Sequence, residues 1–246
     1  MRKVVLITGA SKGIGAATVI EFAKAGYDVI INYKSDKSAA EAVAEKACQN
    51  KVEATLAQAD VFTEEGVRKL RQFVGHKKID VLVNNAGYAD EPEFGLLTYQ
   101  NIVDSLSANF ISAVMCTQSF KSSINKAGSI LFNSSIYGMN YDSNPGLAIY
   151  SASKAAVVNF AQSMAEMLAP NIRCNVVAPG VTKTPAWDTA SPEYIKMRIN
   201  QSLQKEWVTP ESIGKAFVFL AANPHVNAAV IPVDAGWMKK FPENKA

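Results

Sequence analysis

The sequence predicts a single α/β domain in which a mostly seven-stranded parallel sheet carries helices on both faces. Short β-branched runs alternate with helical patterns along the whole chain, which favours βαβ units. The strand runs are apolar at nearly every position, as expected where both faces of a parallel sheet are covered. No linker or repeat divides the chain of 246 residues, so residues 1–246 are interpreted as one domain.

Seven apolar runs are predicted as strands, at residues 4–8, 29–32, 52–56, 79–83, 129–133, 172–177 and 229–233. Helical patterns alternate with them, at about residues 14–25, 38–49, 64–74, 101–125, 148–168 and 210–222. Pro170 ends the helix at 148–168, because proline cannot continue a helix.

One polar segment, residues 182–207, fits neither pattern. It lies between the sixth predicted strand and the last predicted helix and carries Pro185, Trp187, Tyr194 and Trp207. A surface excursion with large apolar side chains suits a lid over a substrate. A packed helical hairpin with no role in binding is the alternative.

Composition and charge exclude several classes of protein. The 25 basic and 22 acidic residues give a net charge of +3, which is too balanced for binding to nucleic acid or an anionic membrane. No apolar run approaches the ~20 residues of a membrane span, and the N-terminus lacks a signal-peptide pattern, so a cytoplasmic protein is expected. The three cysteines have no metal-ligand spacing, so we expect them to be buried and predict no metal.

A glycine-rich turn, TGASKGIG, joins the first predicted strand to the first helix at residues 8–15. Glycines here permit a tight turn, close approach of a pyrophosphate, and close packing of helix on sheet. The helix N-terminus then offers free N–H groups to the phosphates. The spacing GxxxGxG differs from the GxGxxG of the common dinucleotide fingerprint, and a purely structural turn is the alternative.

Three further motifs follow in order along the chain. Residues 84–87 read NNAG, residues 150–154 read YSASK, and Asn175 precedes Pro179-Gly180. With the glycine turn, they resemble the TGxxxGxG, NNAG, YxxxK and N…PG motifs of the short-chain dehydrogenase/reductase family. The resemblance extends from about residue 2 to residue 237. It implies a Rossmann-type, doubly wound fold and an oxidoreductase that uses a nicotinamide cofactor.

The resemblance also implies a catalytic tetrad of Asn109, Ser135, Tyr150 and Lys154. Residues i and i+4 share a helix face, so Tyr150 and Lys154 should point into one site. A free tyrosine has a pKa of about 10, and the neighbouring ammonium is expected to lower it. Tyr150 would protonate a carbonyl oxygen held by Ser135 while hydride reaches the carbon, and Asn109 would complete a proton relay.

The catalytic serine has a competing assignment, Ser134. Ser135 precedes Tyr150 by fifteen residues, which is longer than is usual in the family. The loop at residues 139–147, with Met139 and Tyr141, is therefore expected to alter the substrate pocket. The SxxG pattern that begins at Ser135 favours that residue over Ser134.

Cofactor contacts are implied for residues of all four motifs and of the ends of the second and third strands. They are Gly9, Ser11, Lys12, Gly13, Ile14, Gly15, Tyr33, Lys34, Ser35, Asp60, Val61, Asn85, Ala86, Gly87, Tyr150, Lys154, Pro179, Gly180, Val181 and Thr182.

The end of the second strand favours NADP(H) over NAD(H). Tyr33 stands where NAD-preferring proteins place an acid for the ribose 2′-hydroxyl. Lys34 and Lys12 are cations suited to a 2′-phosphate. Asp36 lies slightly too late to be that acid, unless the loop shifts. Asp60 resembles an adenine-contacting residue of the family, and capping of the following helix is its alternative role.

The pattern is most similar to the 3-oxoacyl-acyl-carrier-protein reductase branch of the family. A small carbonyl or acyl-thioester substrate is therefore expected, and an acyl carrier protein is a candidate partner. Lys126 is a candidate contact for that acidic carrier, whereas Pro170 stands where a second basic residue is expected. Sugars, quinones, steroids and small ketones stay open as substrates. A non-catalytic NADP-binding sensor or scaffold is the alternative of a different class.

The two long predicted helices resemble those that pair subunits in this family. Val157, Val158, Phe160 and Met164 exceed what one core face needs, which favours a homotetramer, with a dimer as second choice.

Overall fold

A computed structural model describes residues 2–139 and 144–237 of the chain. Its seven strands form one parallel sheet in the order β3-β2-β1-β4-β5-β6-β7, which confirms the predicted doubly wound α/β class. The strands are β1 (Val4–Ile7), β2 (Asp28–Tyr33), β3 (Ala54–Gln58), β4 (Ile79–Asn84), β5 (Ile124–Asn133), β6 (Ile172–Pro179) and β7 (Val230–Val233).

Eight α-helices are described, and they cover both faces of the sheet. They are α1 (Gly13–Lys24), α2 (Lys37–Cys48), α3 (Glu64–Val74), α4 (Tyr99–Leu106), α5 (Ser112–Phe120), α6 (Ala148–Leu168), α7 (Pro192–Ile199) and α8 (Pro210–Ala222). Helices α1, α2 and α8 pack on one face, and α3, α5 and α6 pack on the other. No helix in the described part of the chain has both the length and the apolar character to cross a membrane.

The two core clusters explain the uniformly apolar strands. In β1, Val4 and Leu6 join one cluster, whereas Val5 and Ile7 join the other. Alternate side chains of a strand point to opposite faces of the sheet, so a strand buried on both faces needs apolar residues at every position. Burial of each such side chain contributes about 1.5–3 kcal/mol.

Three predictions about individual elements were wrong. The helix predicted at 101–125 begins at Tyr99 after a capping box, contains a π-helical turn at Ser107–Ile111, and ends at Phe120. Strand β3 is displaced from 52–56 to Ala54–Gln58, because its pairing with β2 sets the register. Cys48 is exposed, whereas the other two cysteines are buried.

The strand order reverses between β1 and β4, and this places the site. At such a switch point the chain leaves adjacent strands in opposite directions and opens a crevice at their carboxyl ends. Thr8 joins the two ends, because its Oγ1 accepts the N–H groups of Asn85 (3.0 Å) and Ala86 (3.1 Å). The glycine turn and the NNAG motif therefore meet at one edge of the sheet.

Candidate active site

A cavity of about 500 Å³ opens at the carboxyl ends of the strands. Sixteen residues predicted from sequence line it, and they are Gly9, Lys12, Gly13, Ile14, Gly15, Asn85, Ala86, Gly87, Asn109, Ser135, Tyr150, Lys154, Pro179, Gly180, Val181 and Thr182. Six predicted residues lie outside the lining, and they are Ser11, Tyr33, Lys34, Ser35, Asp60 and Val61.

The glycine turn fits a nucleotide pyrophosphate. Gly9 and Gly13 have φ values of +61° and +54°, in the left-handed region that favours glycine. A Cβ on Gly15 would lie 2.6 Å from Asn85 Nδ2, so α1 approaches the sheet too closely for a side chain. The first turn of α1 has no side-chain cap and no acidic residue, which leaves its N–H groups available to an anion.

Both cations predicted for a 2′-phosphate form ion pairs with carboxylates. Lys12 Nζ lies 2.6 Å from Asp36 Oδ2, and Lys34 Nζ lies 2.9 Å from Asp60 Oδ2. The hydrogen bond from Lys12 is the main cause that lowers the pKa of Asp36. Asp36 also caps α2, since its carboxylate accepts the N–H of Ala39. A 2′-phosphate would therefore compete with two carboxylates for these lysines.

The other predicted residues of this region have mixed placements. Tyr33 and Val61 are buried in the two cores, whereas Ser35 is exposed beside Lys34. The alternative role of Asp60 as a helix cap is wrong, because Thr63 Oγ1 caps α3 by accepting the N–H of Gly66 at 3.0 Å.

Two serines side by side have different partners at the catalytic end of the cavity. The Ser135 side chain lies beside the Tyr150 phenol, where hydrogen bonding from Ser135 acts to lower the pKa of that phenol. The Ser134 hydroxyl instead donates to the main-chain carbonyl of Lys154 at 2.8 Å, so it points into the base of α6. Of the two serines, only Ser135 is placed to share a substrate oxygen with Tyr150.

The electrostatics of Tyr150 and Lys154 differ from the sequence-based expectation. Burial raises the pKa of the Tyr150 phenol, and the Ser135 hydrogen bond only partly opposes this. Burial also lowers the pKa of Lys154, from 10.5 to about 8. Lys154 Nζ lies 5.6 Å from the centre of the Tyr150 ring and donates to the Asn133 carbonyl at 3.0 Å. The predicted lowering of the Tyr150 pKa by Lys154 is therefore wrong, because desolvation by burial raises this pKa and the opposing contribution comes from Ser135 and not from Lys154.

Asn109 lies in the π-helical turn and fixes the loop after NNAG. Its Nδ2 donates to the carbonyl of Tyr88 at 2.9 Å, and its Oδ1 accepts the N–H of Tyr88 at 3.2 Å. A Cβ on Gly87 would collide with Asn109 Oδ1 and lie 3.4 Å from Lys154 Nζ. Asn109 therefore holds the loop close to Lys154, and its role in a proton relay stays a prediction.

Glu91 is a functional candidate that the sequence did not reveal. Its carboxylate accepts the N–H groups of Ile149 and Tyr150 at the start of α6. Leu147, the N-cap residue, supplies no side-chain cap of its own. The carboxylate of a distant loop thus anchors the helix turn that carries Tyr150.

The segment at residues 182–207 lines the substrate end of the cavity. Its 3₁₀ turn, Pro185–Trp187, and helix α7 contribute Trp187, Tyr194 and Arg198 to the wall. A bridge between Thr182 and Val208 joins the two ends of the segment to each other, and a second bridge joins Ser202 to Trp237. Arg198 was also missed from sequence. Closure of this segment as a lid stays a prediction.

Two further expectations from the sequence concern the lengthened loop at residues 139–147 and the presence of a metal. Asn140 and Tyr141 of the lengthened loop lie outside the described residues. Among residues 2–139 and 144–237, no group of three or more His, Cys, Asp or Glu side chains could hold a metal ion.

Comparisons with known sequences agree with the geometry. A family model described as short chain dehydrogenase matches residues 3–194. The 3-oxoacyl-[acyl-carrier-protein] reductase of Synechocystis sp. is 34% identical over 245 residues, covering 95% of this chain and 96% of the relative. The 3-oxoacyl-[acyl-carrier-protein] reductase FabG of Staphylococcus epidermidis is 31% identical over 243 residues, covering 96% and 99%.

Solved structures of similar proteins share the whole fold. A short chain dehydrogenase from Burkholderia cenocepacia in complex with NADP has a TM-score of 0.89 and 27% identity, covering 96% of this chain and 97% of that one. The angucycline C-6 ketoreductase LanV with bound NADP has a TM-score of 0.90 and 26% identity, covering 96% and 95%. The chain therefore belongs to the short-chain dehydrogenase/reductase family and is a nicotinamide-dependent oxidoreductase, as its four motifs predicted.

Proposed function

We propose that this protein is an NADP(H)-dependent reductase in which Tyr150 protonates the carbonyl oxygen of a small substrate. The observation that carries the proposal is the pairing of the Ser135 side chain with the Tyr150 phenol, whose pKa it acts to lower, in the wall of one cavity. It lies in the same cavity as the glycine turn, so a cofactor on that turn and a carbonyl on these hydroxyls would meet.

Each catalytic residue has a physical role in this proposal. The bound nicotinamide supplies a hydride. The raised pKa of Tyr150 keeps its phenol protonated near neutrality, as a proton donor requires. Ser135 orients the substrate oxygen beside the phenol. Lys154, with a pKa of about 8, carries a positive charge at neutral pH and stabilises the phenolate that proton transfer leaves.

The cofactor is held mainly by main-chain groups of the cavity wall. The free N–H groups at the start of α1 bind the pyrophosphate, and Lys12 and Lys34 bind the 2′-phosphate. Two similar structures hold NADP, which supports this preference. Asp36 opposes it, because its carboxylate already neutralises Lys12.

The substrate class is a carbonyl compound or its alcohol. A 3-oxoacyl thioester is favoured by the names of the relatives from Synechocystis and Staphylococcus. LanV is named an angucycline C-6 ketoreductase, so another ketone, sugar, quinone or steroid is the alternative. Lys126 gives no support to an acyl-carrier contact at this cavity. It lies at the irregular start of β5, between Ile124, which pairs with the first residue of β4, and Ser129, and therefore at the end of the sheet opposite the cavity.

A non-catalytic NADP-binding sensor or scaffold is the alternative function. The contacts of Tyr150, Ser135 and Lys154 favour an enzyme, because a binding module would not need a phenol and a hydroxyl side by side at the cavity wall.

We propose assembly as a homotetramer, with a dimer as second choice. Fewer exposed apolar residues support this proposal than the sequence suggested. Val157 is buried, and Val158, Phe160 and Met164 pack on the protein's own core, so they do not form a free face. Met167 on α6 and Ile111 on the π-helical turn remain exposed. A monomer in sedimentation at micromolar concentration would contradict this proposal.

The cytoplasmic location also stays a prediction.

The Tyr150→Phe variant tests the catalytic proposal. Removal of the hydroxyl should lower kcat for NADPH-dependent reduction by about 10²–10⁴-fold, the range for loss of a general acid, while the Kd of NADPH stays unchanged. A screen of ketones, quinones and an acetoacetyl thioester, monitored by NADPH absorbance, supplies the substrate. Tyr137→Phe, at another tyrosine of the cavity wall, is the matched control. Full turnover by Tyr150→Phe would refute the mechanism.

The Lys12→Ala and Lys34→Ala variants test the cofactor preference. Each should weaken NADPH binding about tenfold, as expected for loss of a charge-assisted contact, and should leave NADH binding nearly unchanged. Lys37→Ala is the control, since that exposed lysine pairs with Glu41 within α2. Equal losses for NADPH and NADH, measured by cofactor fluorescence titration, would show that the lysines do not read the 2′-phosphate.

A further inference from the structure

Charge at the cavity wall is entirely positive. Lys12, Lys154 and Arg198 are the charged residues among the described residues that line it, and no carboxylate lines it. Lys12 pairs with Asp36 behind the glycine turn, and Lys154 lies beside Tyr150. Arg198 is the cation that the proposed reaction leaves without a role.

The Arg198 side chain lies against two aromatic rings and not beside a carboxylate. Its guanidinium carbon lies 5.5 Å from the Tyr137 ring centre and 4.9 Å from the Trp237 ring centre. Its Nε is buried and has no hydrogen-bond partner in the described part of the chain, and none of the ion pairs formed by residues 2–139 and 144–237 includes it.

This arrangement leaves binding capacity unused. A guanidinium carries five N–H donors in a planar fork that matches carboxylate and phosphate oxygens. A buried donor without a partner costs free energy that a ligand acceptor would recover. The Tyr137 and Trp237 rings shield part of the guanidinium from water, which strengthens its attraction for an anion.

The position of Arg198 indicates that the anion which its guanidinium could bind belongs to the substrate. The N–H of Tyr137 donates to Ser135 Oγ at 3.2 Å, and Ser135 contacts Tyr150. The Arg198–Tyr137 contact is therefore on the side of the cavity where the carbonyl would bind, away from the Lys12–Asp36 pair. The cofactor phosphates belong to that other side.

We propose that Arg198 is a specificity-determining residue that binds an oxyanion of the substrate, so that the preferred substrates are carbonyl compounds carrying a carboxylate or phosphate. The inference rests on the proposed reductase function. A purely structural clamp, in which Arg198 only joins α7 to Tyr137 and Trp237, is the competing explanation.

Matched pairs of substrates separate the two explanations. The 3-oxobutanoate, 4-oxopentanoate and 5-oxohexanoate anions are each compared with their neutral methyl esters, so that the distance from carbonyl to anion varies. The wild type should prefer at least one anion over its ester. Arg198→Gln should lower kcat/KM for that anion by about 10- to 100-fold, the range for hydrogen bonds to charged groups, and change the ester by less than about threefold.

Two further variants control for charge and for folding. Lys196→Gln removes an exposed cation from the same helix and should leave both members of each pair unchanged. Arg198→Lys keeps the charge without the planar fork and should give an intermediate loss for the anion. The Kd of NADPH should be the same in all variants.

A second pair of probes identifies the source of the oxyanion. Acetoacetyl-CoA carries phosphates on its thioester arm, whereas acetoacetyl-N-acetylcysteamine carries none. Preferential loss of the CoA substrate in Arg198→Gln, with no effect on the oxo acids, would assign Arg198 to a phosphate of the arm. Preferential loss of an oxo acid would assign it to a carboxylate.

Binding measurements keep this test independent of turnover. Quenching of tryptophan fluorescence by each anion and ester is titrated in the presence of NADP+. Weaker binding of the anion alone in Arg198→Gln supports the proposal even if no carbonyl is reduced, in which case only the reductase function fails. Equal losses for anion and ester, or no loss for any oxo acid, ester or CoA thioester, would overturn the assignment of Arg198.

Discussion

The two sides of the cavity differ in the charge that they bury, although each side has, among the residues that the structure describes, a buried side-chain atom without a hydrogen-bond partner, Asn84 Oδ1 in NNAG and Arg198 Nε in α7. The cofactor side consists of the glycine turn, NNAG and the end of β6. There Asn85 donates to the carbonyls of Thr8 and Gly9 and accepts from Asn133 Nδ2. The substrate side consists of Ser135–Gly138, Lys154, residues 182–207 and Trp237. There Lys154 is a buried cation with a lowered pKa, and Arg198 Nε has no partner.

This difference matches two tasks. Main-chain groups of the cofactor side would bind the cofactor, whereas side chains of the substrate side would carry out the chemistry. The cofactor side offers fixed N–H groups, and its own side chains are used to hold them in place. The substrate side keeps two cations, Lys154 and Arg198, whose pKa values burial lowers, and this desolvation costs stability but strengthens their action on a ligand. Substitutions on the two sides should therefore change stability and activity in different combinations.

The largest expected effect is that of Lys154→Met, which should remove activity and raise stability. At about 1.4 kcal/mol for each pKa unit, the fall of the Lys154 pKa from 10.5 to about 8 corresponds to a penalty of about 3 kcal/mol on the folded state at pH 7. Loss of the hydrogen bond to the Asn133 carbonyl offsets part of the gain. Urea unfolding at pH 7 should show a net gain of about 1–3 kcal/mol.

The pH dependence of this gain checks its cause. Between pH 8 and 10.5 the unfolded chain still binds the lysine proton that the folded chain has released, so the wild type gains stability as pH rises. The advantage of Lys154→Met should therefore fall below about 1 kcal/mol at pH 10. Other titrating groups cancel in the comparison of the two proteins. An advantage that is equal at pH 7 and pH 10 would contradict the desolvation explanation.

The same contrast explains which parts of the site were predictable from sequence. The turn at residues 8–15, NNAG and YSASK are local patterns, and each depends on spacing within one strand–turn–helix or one helix turn. All three lie in the cavity wall. The parallel sheet was predictable for a similar reason, because a strand that is buried on both faces needs apolar residues at consecutive positions.

The residues that were missed depend on contacts between distant segments. Glu91 and Ile149 are 58 residues apart in the sequence, and no pattern in either segment predicts their contact. Arg198 acquires its environment from Tyr137 and Trp237, which reach it only through the fold. The error in the Tyr150 pKa has the same origin, because spacing shows that a lysine is near but not how dry the pair is.

The next expected effect belongs to the cofactor side, where Gly15→Ala should lower both stability and NADPH affinity. The new Cβ would lie 2.6 Å from Asn85 Nδ2 and 2.9 Å from Ala10 Cα, so backbone would have to move. Overpacking of this kind costs about 1–3 kcal/mol. We expect that loss in urea unfolding, together with an NADPH Kd raised about tenfold or more.

Gly95→Ala is the matched control for this prediction, because a Cβ there meets no atom within 4 Å. It should leave both quantities unchanged. If Gly15→Ala behaved like Gly95→Ala, the close approach of α1 to the sheet would not be what the glycine provides.

The smallest expected effect tests whether the substrate side is positioned by a remote carboxylate. Glu91→Ala removes the acceptor of the Ile149 and Tyr150 N–H groups, and loss of a side-chain acceptor at a helix N-terminus costs about 1 kcal/mol. Since the affected turn carries Tyr150, kcat should fall about two- to fivefold at this cost, with little change in KM or in the Kd of NADPH. Glu91→Gln keeps an acceptor oxygen and should recover most of kcat.

Glu93 provides the control for Glu91, since it lies on the same loop and makes no side-chain cap bond. Glu93→Ala should leave kcat unchanged. A loss confined to stability in Glu91→Ala, with kcat at the wild-type level, would make Glu91 a helix cap with no influence on Tyr150. A loss of kcat that Glu91→Gln restores would instead show that the phenol's position depends on an acceptor oxygen at residue 91, because the two variants differ in that acceptor and not in the catalytic groups.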